Sequence, residues 1–236
     1  MSSVHWWRTV FYLIPAVTLY TVVLGSVSLL STFVDRTGNF AHRCARAWAR
    51  LILGTTGVRV RVRGLEHLQP GRSYVFAANH QSIYDIPILF TSIPAQLRIV
   101  AKESLGRIPF MGWHLRRAGH LLVDRRNPGA DIVQKMRRLV GESSSLIVFP
   151  EGTRSVDGSI GRFKKGSFLV AIDAKLPVVP VSVRGSRHVM RKGQLTVRPG
   201  EVELTIHPPE PTDGVAREDV LRFAERVRQV VAQAAG

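Results

Sequence analysis

Residues 79–85 read Asn-His-Gln-Ser-Ile-Tyr-Asp, and the apolar run SYVFAAN ends on Asn79. His80 therefore follows a strand-like segment, and Asp85 comes five residues later, two before Pro87. Such a turn can bring the carboxylate back onto one imidazole nitrogen. Asp85 would fix the tautomer and stabilise the imidazolium, leaving the other nitrogen as a general base. An ordinary histidine pKa of about 6.5 suits that task at neutral pH. No Ser or Cys nucleophile is required, because the base can act directly on a substrate hydroxyl. The same spacing also suits a plain turn in which Asp85 caps the following helix.

A second group follows the apolar run SLIVFP: Phe149-Pro150-Glu151-Gly152-Thr153-Arg154-Ser155. Gly152 permits close backbone approach, Thr153 and Ser155 carry hydroxyls, and Arg154 offers a planar fork matched to phosphate oxygens. Basic residues continue at Arg162, Lys164 and Lys165. This suits a phosphate-binding loop that is neither a Walker A sequence nor a dinucleotide fingerprint. An ordinary glycine turn with a solvated arginine has the same composition. A third stretch, 98–126, holds seven Lys/Arg against two acids, interleaved with Leu105, Ile108, Phe110, Met111 and Trp113. Lys102 and Arg125 are the binding candidates there, and Phe110 to Trp113 are candidates for lining an acyl tunnel.

The elements that must position these groups alternate. Val58, Val60 and Val62 interleave with Arg59, Arg61 and Arg63, the period of a half-exposed strand. Short apolar runs at 73–79, 98–102, 120–124, 145–150 and 178–183 read as buried strands. Helical patterns near 83–92, 110–118, 130–142 and 164–174 separate them. Two late strands, near 194–198 and 201–206, precede a helix from about 215 to 234. This predicts an α/β fold with a largely parallel central sheet flanked by helices, and loops at the strand ends are where its chemistry belongs.

Ahead of that domain, 26 residues between Arg8 and Asp35 carry no charge, and Trp6 and Trp7 precede them. About 20 apolar residues cross a hydrocarbon core as a helix. The run is longer than a usual signal-peptide core, and only Arg8 supplies a basic start. Pro15 and Gly25 interrupt it, so a bent, half-submerged hairpin competes with a straight span. His42, Arg43, Arg46 and Arg50 then share one helical face, suited to lipid phosphates or to a solvated face of a helix packed on the domain. If the first segment spans, these arginines set the main domain in the cytoplasm. The expected division is 1–56 for membrane-anchoring helices, associated with a bacterial inner membrane, and 57–236 for the α/β domain.

Charge fits that picture. The chain has 33 Lys+Arg against 17 Asp+Glu, a formal net charge of +16, and prefers an anionic partner. Nucleic acid is not the expected one, since no binding motif is recognisable and the apolar N-terminal run has no role there. The single Cys44 excludes a disulfide framework and any multi-cysteine metal site.

Taken together, NHQSIYD (79–85), KESLGRIPFMGWHLRRAGHLLVDR (102–125), FPEGTRS (149–155) and VVPVSV (178–183) resemble, in order, four blocks of the 1-acyl-glycerol-3-phosphate acyltransferases. The resemblance covers about 70 to 185, roughly half the chain. It implies that His80, held by Asp85, deprotonates the free hydroxyl of lysophosphatidic acid, which attacks an acyl thioester to give phosphatidic acid. It implies substrate-binding roles for Asn79, Lys102, Arg125, Glu151, Gly152, Thr153, Arg154 and Pro180. No metal or redox cofactor is implied; acyl-CoA or acyl carrier protein is the co-substrate, and the bilayer is a partner. Another lysolipid or a glycolipid acceptor is the alternative within the same chemistry.

Overall fold

The computed structural model of the chain describes residues 2–35, 37–108, 111–123 and 144–235. Among the described residues, seven strands form one sheet: β1 (Val58–Arg63), β2 (Val75–Ala78), β3 (Gln96–Lys102), β4 (Leu121–Val123), β5 (Ser144–Val148), β6 (Val178–Arg184) and β7 (Gly200–Ile206). Their spatial order is β1-β7-β6-β2-β5-β3-β4. Every pairing is parallel except β6 with β7. The expected largely parallel α/β sheet is what the chain forms.

Both faces of the sheet are covered, which is why its central strands read as continuous apolar runs. Phe76 and Ala78 of β2 face one core with Ile147 and Val179, while Val75 and Ala77 face the other with Leu146 and Val178. The first core is closed by α3 (Asn39–Thr56) and α4 (Asp85–Ser92), through Ile52, Leu53, Ile88 and Leu89. The second is closed by helices Lys165–Asp173 and Val220–Ala235, through Phe168, Phe223, Val227 and Val231. Burying each such side chain contributes about 1.5–3 kcal/mol. At the edge, β1 and β7 are covered on one face only. Val58, Val60 and Val62 turn to the core, and on the open face Arg61 and Arg63 pair with Glu201 and Glu203.

The late strand expected at 194–198 is not a strand. Its backbone groups have other partners: Val197 N–H donates to Thr9 Oγ1, its carbonyl accepts from Arg8, and Arg198 N–H donates to Val189. No ladder is left to make. The predicted helix at 130–142, Phe110 and Arg125 lie outside the described residues.

At the N-terminus, α1 (Ser2–Arg8), a π-helical stretch Thr9–Leu13 and α2 (Ile14–Ser31) run on as one helix. Pro15 does not break it. Proline removes one donor and crowds the carbonyl four residues back, and the looser π turn just before it absorbs both. The segment Val4–Ser31 is long and apolar enough to cross a membrane, and Phe11, Leu19, Val22, Val23 and Leu30 are all exposed. Yet both ends rest on the same domain. Near the start, Arg8 and Thr9 bond Val197; near the finish, Ser28 bonds His114 and Arg117 Nε donates to Thr32 Oγ1. From Thr9 to Thr32 is roughly 34 Å at the helical rise. The helix therefore lies along the domain with its apolar side outward.

Behind it, α3 packs antiparallel, joined by Tyr20–Thr55 and Trp48–Thr21 hydrogen bonds. Of the basic face expected on α3, only Arg43 and Arg50 are exposed. His42 is buried against Phe90, and Arg46 donates to the Thr91 carbonyl. These two hold α3 on α4, while Arg43 and Arg50 leave a basic strip of α3 exposed.

Candidate active site

Parallel β2, β3, β4, β5 and β6 end on one edge of the sheet. That edge collects the turn after β2 with His80, the end of β3 at Lys102, the loop after β5 with Glu151, and the segment after β6.

His80 Nδ1 lies 2.8 Å from Asp85 Oδ2. Asp85 is the first residue of α4 and fully buried. Its Oδ2 also accepts the backbone N–H groups of Gln81 at 2.8 Å and Ser82 at 2.9 Å. One oxygen thus closes the turn and holds the ring, but it does not cap the helix: the N-cap position of α4 is Tyr84, and no side-chain hydrogen bond caps it. A carboxylate only accepts, so Nδ1 carries the ring proton and Nε2 presents its lone pair. The histidine side chain is 16% exposed, open enough for Nε2 to meet a substrate. Phe149, the residue just after β5, stacks on the imidazole with ring centroids 4.0 Å apart. Carboxylate and phenyl ring together restrict the imidazole's rotation.

The Glu151 loop is built onto this turn. Glu151 Oε1 accepts the His80 N–H at 2.8 Å, and Oε2 accepts the Gly161 N–H at 2.9 Å. Burial pushes the Glu151 carboxyl above its ordinary range, opposed by those two N–H donors. Ser155 N–H donates to the His80 carbonyl, and Gln81 Nε2 to the Gly158 carbonyl. Gly152 sits at φ +77°, and a Cβ there would come 2.8 Å from Lys164 Nζ. Glycine at this position serves both the backbone turn and the approach of that ammonium.

Several expected contacts fall elsewhere. Asn79 is fully buried; its amide accepts from Val183 N–H and donates to Val183 O, extending the sheet instead of facing a ligand. Pro180 is buried within β6 opposite Ala77, with its carbonyl accepting from His207 N–H. Both oxygens of Glu151 are taken by backbone, so it braces the two loops. Ser155 Oγ donates to Asp157 and accepts from Gly158 N–H, which turns that hydroxyl inward to its own loop. Trp113, proposed to line a tunnel, is 59% exposed. Thr153 and Arg154 remain at the surface of the loop near His80. Sequence reasoning missed Phe149 as a platform for the ring, because an aromatic at a strand end reads as core. It also left Lys192 without a role, although its ammonium reaches Thr153.

Residues 59–184 match the family model described as Acyltransferase. The chain belongs to the acyltransferase family. Among curated members, it is 34% identical over 176 residues to 1-acyl-sn-glycerol-3-phosphate acyltransferase alpha of Homo sapiens, covering 73% of this chain and 62% of that one. A 1-acyl-sn-glycerol-3-phosphate acyltransferase of Chlamydomonas reinhardtii is 35% identical over 178 residues, 74% of this chain and 52% of that one. The match thus spans between half and two-thirds of these relatives' length. A solved family structure, the 1-acyl-sn-glycerophosphate (LPA) acyltransferase PlsC from Thermotoga maritima, superposes with TM-score 0.83 at 29% identity. That superposition covers 99% of this chain and 97% of that one, so the likeness to that structure extends to the N-terminal helices.

Proposed function

We propose that this protein transfers an acyl group from an acyl thioester, acyl-CoA or acyl carrier protein, to the free hydroxyl of 1-acyl-glycerol 3-phosphate, giving phosphatidic acid. The observation that carries it is the His80–Asp85 pair, with Nδ1 engaged at 2.8 Å and Nε2 left as a base beside a basic loop. His80 Nε2 takes the proton of the acceptor hydroxyl as its oxygen bonds to the thioester carbonyl carbon. The resulting tetrahedral species collapses, the C–S bond breaks, and the imidazolium returns the proton to the departing thiolate. Asp85 stabilises the imidazolium between these two transfers. Thr153 and Arg154 bind the acceptor phosphate, joined by Lys102 and Arg125 from the second sequence block; Gly152 lets the backbone approach. Protein side chains and the thioester supply all the chemistry this scheme needs, without a metal or redox cofactor.

In the same reading, the helix Val4–Ser31 lies in one leaflet, since a spanning helix has its ends on opposite sides of a core about 30 Å thick. An acyl-thioester donor then puts the domain on the cytoplasmic face, in a bacterium that of the inner membrane. The test is thiol release from acyl-CoA in mixed micelles, with and without lysophosphatidic acid, for wild type and His80→Ala. Acceptor-dependent release should fall about 10²–10⁴-fold in the variant. Release that survives in His80→Ala would sink the mechanism, and release driven only by another lysolipid would sink the acceptor.

A further inference from the structure

Lys192 lies beyond the family-matched residues 59–184, in the irregular segment between the short helix Ser186–Val189 and β7. Its Nζ donates to Thr153 Oγ1 at 3.0 Å and to the Arg154 carbonyl at 2.9 Å. The segment that carries it is anchored on both sides of the site. Ser82 Oγ, in the His80 turn, donates to the Met190 carbonyl at 2.8 Å. Arg187 donates to the Val156 carbonyl from Nε at 3.2 Å and Nη2 at 2.8 Å. Residues 187–192 therefore tie the catalytic turn to the loop bearing Thr153 and Arg154.

Donor arithmetic makes the Lys192 contact directional. An ammonium has three donors and no acceptor. Thr153 Oγ1 must accept from it, so the threonine's own O–H is aimed at some other acceptor. The Arg154 carbonyl is likewise occupied, which fixes the backbone from which the guanidinium projects. One ammonium proton remains. Among the described residues Lys192 forms no ion pair, and the carboxylate closest along the loop, Glu151, already accepts two backbone N–H groups. Lys164 Nζ flanks the same loop on the Gly152 side. Cations concentrated this way, with no ion-pair partner among the described residues, favour a doubly charged phosphomonoester over a neutral headgroup.

We propose that Lys192 is a positioning and specificity residue for the acceptor: it turns the Thr153 hydroxyl outward as a donor, fixes Arg154, and adds charge that selects a phosphomonoester. This rests on the acyl transfer proposed above. The test uses the full chain in mixed micelles, with Lys192→Met and Lys192→Arg, measuring thiol release against lysophosphatidic acid and against monoacylglycerol. Lys192→Met should raise KM for lysophosphatidic acid about 10- to 100-fold, the range of one lost charged hydrogen bond. KM for the acyl donor should stay unchanged, kcat should move only a few-fold, and the preference over monoacylglycerol should narrow. Lys192→Arg should restore most of the acceptor KM. Unchanged acceptor KM in a Lys192→Met enzyme would overturn this role alone. So would a joint loss of kcat and both KM values that arginine does not rescue, the mark of a merely structural brace. Wild-type protein without release dependent on lysophosphatidic acid would overturn the acyl-transfer reading, and this role with it.

Discussion

Replacing Asp85 with asparagine separates orientation from charge in the proposed catalytic pair. Three donors converge on Oδ2, from His80 Nδ1, Gln81 N and Ser82 N, at 2.8, 2.8 and 2.9 Å. Oδ1 is buried with no partner among the described residues. An asparagine amide has one accepting end and one donating end. Its oxygen must take the Oδ2 position, since an NH2 there would face three other donors. His80 should therefore keep its Nδ1–H tautomer, whereas a triad amide that loses the tautomer costs about 10⁴ in rate. What disappears is the negative charge facing the forming imidazolium. Two full charges about 4 Å apart interact by about 4 kcal/mol at an effective dielectric of 20. A half-formed imidazolium feels roughly half of that, about 2 kcal/mol, or ~30-fold in kcat. The stranded NH2 in the Oδ1 position costs a further ~1–3 kcal/mol of stability, not rate. Asp85→Ala frees the ring and the turn together and should approach the loss of His80→Ala. Steady-state thiol release, with melting curves for each variant, reads both quantities. An Asn variant as dead as the Ala variant would refute the claim that the turn fixes the amide. One as fast as wild type would refute any role for the charge.

Glu151→Gln should cost about 1–3 kcal/mol in urea unfolding, because each carboxylate oxygen meets a backbone N–H and the amide must oppose one of them. Its kcat should fall as the His80 turn loosens, and a melt equal to wild type would refute the bracing role. Gly64→Ala should destabilise by roughly 3 kcal/mol or more, since its φ is +82° and the new Cβ would lie 1.9 Å from the Ile206 carbonyl. A folded variant with an unchanged melting temperature would refute this. Acid should also weaken the fold through His120, whose Nδ1 accepts the Ile99 N–H at 3.1 Å. Desolvation first, then the charges of Arg98, His114 and His42, push that imidazole down to about 3. The unfolded chain thus binds a proton the folded one refuses, and stability falls as pH drops from about 6.5 toward 3, by up to ~1.4 kcal/mol per unit. Urea midpoints at pH 7 and pH 5 should differ less in His120→Gln than in wild type; equal differences would exclude this histidine as the cause.

Much of the site was legible because its chemistry is local. His80 and Asp85 lie within one turn, and the spacing that suggested their pairing is the spacing that makes it. Errors came where a polar side chain had a distant backbone partner. Asn79 looks like a site residue beside His80, but its amide meets Val183, 104 positions away. Ser155 is a local case: it looks like a phosphate donor until the side chain of Asp157, two residues on, is seen to take its hydroxyl. The alternation at 194–198 suited a strand, but Thr9 and Arg8 of the N-terminal helix reached those backbone groups first. On α3, charge suggested an outward face, whereas His42 and Arg46 turn inward onto α4. The amphipathic signals were real, but sequence period alone does not say which neighbour occupies the other side.

The helix Val4–Ser31, tied to the domain at both ends, has a consequence for membrane growth. In the acyl-transfer reading proposed above, an enzyme held this way would meet one monolayer only, so substrate and product would both stay within a two-dimensional sheet. Each new two-chain lipid would then be deposited on the side where the enzyme sits. That monolayer would expand ahead of its opposite until lipids are moved across. Growth of the whole bilayer would be coupled to that transfer.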